Sequence, residues 1–214
     1  MNDKSPKLID SDDKKLQQKE TKRLLSAILV GALIGIAFQE MVNPVRESIR
    51  AFGFTWQIIL LFFCFFFTAI RFYLGNQLHL LSDSLLSMKG TVWLFDLIVI
   101  LFETALIVFL GGVSSVEESS KAKIGFFGLL LLLLAIDIVW ILSQWLFGGM
   151  SKEWKRKNIP WQWALLNFIL AASMVLLIYK VDNVYSPVGL IWLTVLSVTA
   201  FICDVRLINY CRLI

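Results

Sequence analysis

The sequence has few charged and few metal-ligating side chains. Of its 214 residues, 17% are charged, one is histidine and three are cysteine. A single histidine excludes haem held by two histidines of one chain, and cysteines without a Cys-x-x-Cys spacing indicate neither a zinc site nor a thiol redox centre. No Gly-x-Ser-x-Gly, His-Glu-x-x-His or glycine-rich phosphate loop occurs either. We therefore expect no metal, no cofactor and no catalytic residue of these kinds.

The sequence is rich in hydrophobic residues, which lie in long apolar runs. Hydrophobic residues make up 58% of the chain and aromatic residues 14%, with a mean hydropathy of +0.75. A soluble domain has about 45–50% apolar and about 25% charged residues, so a soluble enzyme, a disordered chain and a disulfide scaffold are excluded. Six runs approach the roughly 20 residues that cross a bilayer. The predicted fold class is an all-α integral membrane protein, a bundle of six transmembrane helices.

Residues that break helices set the predicted boundaries. Residues 1–23 are predicted to be a charged, disordered tail, and residues 24–214 the transmembrane domain, with Asn43-Pro44 ending its first segment. Residues 75–90 fit either a short helix in the membrane interface or a plain connection. The six segments are predicted at Leu24–Val42, Phe54–Leu74, Val92–Leu110, Ile124–Phe147, Trp161–Tyr179 and Val188–Asn209.

Lysines and arginines determine the predicted orientation. Fourteen of the 20 lie in the tail, in the loops after the second and fourth segments, and at the C-terminal end. Both termini are therefore predicted to be cytoplasmic, in a cell membrane (inner or plasma). Because the net charge of +4 follows from this distribution, it does not indicate nucleic-acid binding. Lys152, Lys155, Arg156 and Lys157 fit anionic lipid head groups, or simply mark the cytoplasmic side.

Polar side chains inside the apolar segments are the main functional signal, because the bilayer penalises them. One arginine cannot neutralise four carboxylates, so we expect Arg71 to pair with Asp96 or Asp204. Glu103 and Asp137, roughly 15 Å deep, are predicted to form a second layer that holds protons, a cation or water. Five side chains are predicted to lie at one level, about one helical turn below the cytoplasmic interface: Arg71, Asp96, Gln144, Asn167 and Asp204.

Further side chains are predicted to support this set. Thr68, Thr194 and Ser197 lie on the same helix faces as the charged residues of the second and sixth segments. A purely structural network is the alternative, since amides such as Gln144 commonly join membrane helices by hydrogen bonds. Ala27, Gly31 and Gly35 form a line of small residues along the first segment. This line permits close approach of a helix from the same chain or from a second copy.

These observations favour a small channel or transporter for protons or small cations. Its path is predicted to use Glu103, Asp137, Arg71, Asp96 and Asp204, and its partners are the bilayer and either further copies of the chain or a second subunit. The alternative is a membrane-embedded sensor or scaffold subunit whose polar cluster only fixes helix register. An intramembrane enzyme acting on a lipid is a third class, disfavoured because no segment carries an Asp-x-x-Asp pair.

Overall fold

The computed structural model describes residues 7–53, 55–80, 90–113, 125–147, 159–181 and 185–212. Over these residues the chain is all-helical, as predicted, and each of six helices is long and apolar enough to cross a membrane. This architecture is compatible with a multi-pass membrane protein. The helices are α1 (Lys7–Phe52), α2 (Trp56–Leu80), α3 (Gly90–Gly112), α4 (Gly125–Phe147), α5 (Ile159–Lys180) and α6 (Pro187–Arg212).

Helices α2 to α6 form a closed ring. Each packs against the next in chain order, and α6 returns to pack against α2. Helix α1 lies outside the ring, against α2 and α3. We call the two ends of the ring the His79 end, where α2 finishes and α3 begins, and the Trp56 end, where α2 begins and α3 finishes.

Two clusters of buried apolar side chains pack the bundle at different levels. The larger cluster lies toward the Trp56 end and includes Phe65 and Leu133. The smaller lies toward the His79 end and includes Trp93, Trp140 and Ile141. Within lipid such contacts stabilise a bundle through close van der Waals packing, because lipid tails are as apolar as the side chains. The level between the two clusters is where the polar side chains meet.

Helix α1 begins earlier than the sequence indicated. It starts at Lys7, so residues 7–23 of the tail that was predicted to be disordered are helical, while residues 1–6 lie outside the described part. The physical reason is composition: no glycine or proline occurs from Lys7 to Val30, and this stretch is rich in Lys and Leu, which favour helix.

Helix α1 also ends later than predicted. It passes through Asn43-Pro44 and stops at Phe52, just before Gly53, whose φ of 75° reverses the chain. Proline removes one backbone donor, and a membrane helix tolerates this loss where a neighbouring helix packs against it. Pro44 is buried in the bundle, which accounts for the uninterrupted helix.

Helix α2 continues through residues 75–80, which were predicted to leave the membrane as a connection or an interfacial helix. Asn76 and His79 consequently lie in the ring. The rest of that predicted stretch, residues 81–89, lies outside the described residues, as does the basic run 152–157 with its predicted lipid-binding side chains.

Helix α1 approaches α3 closely at Gly111, a residue of α3. A Cβ added to Gly111 would lie 2.6 Å from the carbonyl oxygen of Ala37. Around Gly31 and Gly35, by contrast, no heavy atom of the described residues lies within 4 Å of an added Cβ. The predicted small-residue line of Ala27, Gly31 and Gly35 therefore faces away from the neighbouring helices, and its contact with a second copy stays a prediction.

We expect Gly111→Ala to destabilise the bundle by about 1–3 kcal/mol, because the new methyl group must push α1 away from α3. Gly35→Ala is the matched control, and it should leave stability unchanged or raise it by up to about 1 kcal/mol through helix propensity alone. Unfolding by a denaturing detergent, followed by circular dichroism, measures both variants. Equal stabilities for the two would show that α1 and α3 are not in this close contact.

Candidate functional site

Every helix of the ring contributes polar side chains to its interior. They are almost fully shielded from solvent and lipid, although a charged group in an apolar environment costs several kcal/mol when it is unpaired. Such a concentration of buried polar groups therefore requires compensating partners. The buried charged, imidazole and amide side chains include Arg71, Asn76, Gln77, His79, Asp96, Glu103, Asp137, Gln144, Asn167 and Asp204.

Four of these side chains form the Arg71 network, which joins α2, α4, α5 and α6. The Nε atom of Arg71 donates a hydrogen bond to Oδ2 of Asp204 in a buried ion pair. Its Nη2 atom donates to Oδ1 of Asn167, and Nδ2 of Asn167 donates to Oδ2 of Asp137. Arg71 thus pairs with Asp204, one of its two predicted partners. Asp137, predicted to lie in a deeper layer, joins Asn167 of the shallower layer.

A second group, the Asp96 network, joins α2, α3 and α4. Oδ2 of Asp96 lies 3.2 Å from Nε2 of His79, and Oδ1 accepts hydrogen bonds from Nε1 of Trp140, at 3.3 Å, and from Nε2 of Gln144. The rings of His79 and Trp140 also meet edge to face, with their centroids 4.7 Å apart. Asp96 is therefore held by three side chains, and it is not the partner of Arg71.

Glu103 lies on α3 near both networks, and its buried carboxylate has few hydrogen-bond partners among the described residues. Its Oε2 atom accepts one hydrogen bond, 3.2 Å long, from Nδ2 of Asn76. Its Oε1 atom is buried and has no hydrogen-bond partner among the described residues. Asn76, which donates the bond to Oε2, lines the same cavity as Asp137, and no hydrogen bond between described residues joins Glu103 to Asp137. The predicted pairing of Glu103 with Asp137 stays a prediction.

Two small cavities lie on either side of Arg71. The one toward the His79 end has a volume of about 30 Å³, and Asn76, Asp137 and Asp204 line it. The other, toward the Trp56 end, has a volume of about 20 Å³ and a mainly apolar lining that includes Leu134. Since one water needs about 10–15 Å³ of such volume, each cavity has room for one or two waters beside the arginine.

The predicted supporting residues mostly join α2 to α6. The hydroxyl of Thr194 lies 3.0 Å from the carbonyl oxygen of Leu60, across the helix interface. Oγ of Ser197 lies 3.4 Å from Sγ of Cys64. Thr68 and Ser197 line the smaller cavity beside Arg71. These three predicted side chains therefore surround the Trp56 side of the Arg71 network without bonding to it.

Three residues of the polar interior were not among the predicted site residues: His79 and Trp140 of the Asp96 network, and Asn76, the hydrogen-bond partner of Glu103. His79 was placed at the end of a connection because the second segment was predicted to finish at Leu74. A usable signal was present, since His79 follows Gly75 by four residues and Gly75 follows Arg71 by four. That spacing continues one helix face.

Among the described residues, no three histidine, cysteine, aspartate or glutamate side chains lie close enough together to hold a metal ion. A scan against protein-family models and searches of curated proteins and of solved structures found no match. We therefore infer function from the geometry of the two networks and of Glu103.

Proposed function

We propose that this chain is a multi-pass membrane protein that carries protons along the polar interior of its helix ring. The observation that supports the proposal is the state of Glu103, which is fully buried, has one hydrogen bond, and has a second carboxylate oxygen without a hydrogen-bond partner among the described residues. A buried carboxylate with neither countercharge nor full hydrogen bonding is costly. A proton held by Glu103 and Asp137 removes the cost, which makes the pair a proton-binding site.

The pairing of the other buried charges indicates why we propose Glu103 and Asp137 as the proton-binding site. Arg71 forms an ion pair with Asp204, and Asp96 lies 3.2 Å from Nε2 of His79. Glu103 and Asp137 are the buried carboxylates of the ring that contact neither an arginine nor a histidine among the described residues. The excess of acids over bases inside the ring is therefore concentrated at these two carboxylates.

The size of the cavities favours protons over small metal cations. Spaces of about 20 and 30 Å³ hold one or two waters each, which is less than a hydrated cation requires. Protons need only a chain of hydrogen-bonding groups and occasional waters. The described residues supply three hydrogen-bonded pairs, His79 with Asp96, Asn76 with Glu103, and Arg71 with Asp204. The cavity lined by Asn76 and Asp204 has room for water between the last two pairs.

The polar groups reach the His79 end more closely than the Trp56 end. Beyond Arg71, apolar side chains such as Leu130, Leu134 and Met174 line the next cavity. We therefore propose a gated carrier, in which this apolar level opens only transiently, and not an open pore. In the predicted orientation the His79 end faces the cytoplasm, and assembly into an oligomer stays a prediction.

We expect Glu103→Gln and Asp137→Asn each to lower proton flux by about a hundredfold, which is the usual scale of losing a positioned proton-transfer group. Flux is measured in proteoliposomes with a pH-sensitive dye trapped inside. Glu47→Gln removes an exposed carboxylate of α1, outside the ring, and should keep wild-type flux. Wild-type flux in both ring variants would exclude a proton path through this pair.

A sensor or scaffold subunit is the second candidate, and the length of α1 favours it. Its 46 residues extend about 70 Å, against a hydrocarbon core of about 30 Å, so part of α1 projects from the membrane and can bind a partner. In this case the buried networks only hold the helices in register. The same proteoliposomes would then show no protein-dependent flux, whichever variant they contain.

A further inference from the structure

A groove between α1 and α2 at the Trp56 end is much larger than the cavities beside Arg71. Its volume is about 450 Å³, within the range of about 300–1,000 Å³ that is typical of small-molecule sites. Its wall is apolar, formed by Val42, Val45 and Ile49 of α1 and by Phe62 of α2. The groove is remote from the polar interior of the ring, so it does not depend on the proposed proton function.

Two arginines of α1 lie beside this apolar wall. Arg46 and Arg50 both line the groove, and their four-residue spacing places them side by side on one helix face. Both are exposed, and the described residues offer neither of them an ion pair. Glu47 lies between them in sequence but does not line the groove. The groove thus combines an apolar surface with two available positive charges.

The position of the two arginines near one end of the bundle is compatible with the level of lipid head groups. They lie in the last two turns of α1, shortly before the reversal at Gly53, and Trp56 at the start of α2 is highly exposed. Tryptophan is common at this position in membrane proteins, where its ring lies between the head groups and the acyl chains. Phe62 lies further into the apolar part of α2.

We propose that this groove binds an anionic phospholipid, with an acyl chain along Val45 and Phe62 and the phosphate between Arg46 and Arg50. The planar guanidinium group donates paired hydrogen bonds that match phosphate oxygens. A second copy of the chain fits the groove less well, because a symmetric contact here would bring the same arginines against each other.

Native mass spectrometry of the purified full-length chain tests the proposal, with phosphatidylglycerol and phosphatidylcholine of identical acyl chains as probes. The wild type should retain phosphatidylglycerol preferentially. The double variant Arg46→Gln, Arg50→Gln should bind it about thirtyfold more weakly, and Val45→Trp should do the same by filling the groove while keeping both arginines. Lys180→Gln, which removes a cation at the same end of the bundle, should retain the preference.

Three outcomes would overturn the proposal. Equal retention of the two lipids by the wild type would mean non-specific lipid at this surface. Displacement of phosphatidylglycerol by inorganic phosphate would mean that the arginines bind free phosphate. A dimer mass that Val45→Trp abolishes would mean that a second copy covers the groove. Because the arginines are exposed, their replacement should preserve the wild-type elution volume and helix content, which separates loss of binding from unfolding.

Discussion

Replacing Arg71 by glutamine is expected to destabilise the bundle by about 3–5 kcal/mol, the usual cost of removing one partner from a buried ion pair. Arg71 contacts Asp204 directly and reaches Asp137 through Asn167. Without the guanidinium group, two buried carboxylates lose the only cation in the Arg71 network. The decrease in the free energy of unfolding should therefore exceed that of an ordinary polar substitution.

A double-mutant cycle separates the ion pair from other effects of the substitution. Arg71→Gln, Asp204→Asn and the combination of both are unfolded by denaturing detergent and followed by circular dichroism. The double variant should be more stable than the sum of the single effects implies, by about 1–3 kcal/mol. Arg206→Gln, on the exposed side of α6, should change stability by less than about 0.5 kcal/mol. Purely additive effects would show that Arg71 and Asp204 are not coupled.

Replacing Asp96 by leucine should cost a similar amount, about 3–5 kcal/mol, for a different reason. The carboxylate is shared by His79, Trp140 and Gln144, and each buried donor that loses its acceptor costs about 1–3 kcal/mol. Asp96→Asn keeps one oxygen in place for Trp140 and Gln144 and offers an amide to the imidazole. Its cost should stay near 1 kcal/mol.

The comparison of these two Asp96 variants shows whether hydrogen bonding or charge holds the Asp96 network together. Both are measured by the same detergent unfolding as the Arg71 variants. A large loss with leucine and a small one with asparagine supports hydrogen bonding. An equally large loss in both would mean that the negative charge beside His79 stabilises this end of the ring. Wild-type stability of the leucine variant would contradict the network itself.

The six helices could be predicted because each crossing requires about 20 apolar residues, a signal that the composition of a single segment carries. The ends of the helices were harder to predict. Pro44 was expected to stop α1. Whether a helix continues through a proline depends on how that proline packs against neighbouring helices, and Pro44 is buried. The second segment was predicted to finish at Leu74, yet α2 continues through Gly75, and a glycine inside a membrane helix need not interrupt it.

The depth of the polar side chains was partly predictable and their partners were not. Counting residues from the helix ends placed Arg71, Asn167 and Asp204 at one level, and these three are in contact. Which helix faces which depends on helix order and rotation, and helices α4 and α5 are apolar around most of their circumference. An all-round apolar helix does not specify its inward face. For that reason the sequence left open whether Asp96 or Asp204 pairs with Arg71. In the structure the partners of Asp96 lie on α2 and α4.

In the proposed function, the ring carries protons and not metal cations. Wild-type protein in liposomes should take up protons when a potassium diffusion potential makes the interior negative, faster than protein-free vesicles do. The rate should not change when external sodium is replaced by an impermeant organic cation, and the combined Glu103→Gln, Asp137→Asn variant should reduce it by about a hundredfold or more. Proton uptake no faster than in protein-free vesicles, or unchanged in the combined variant, would contradict the claim.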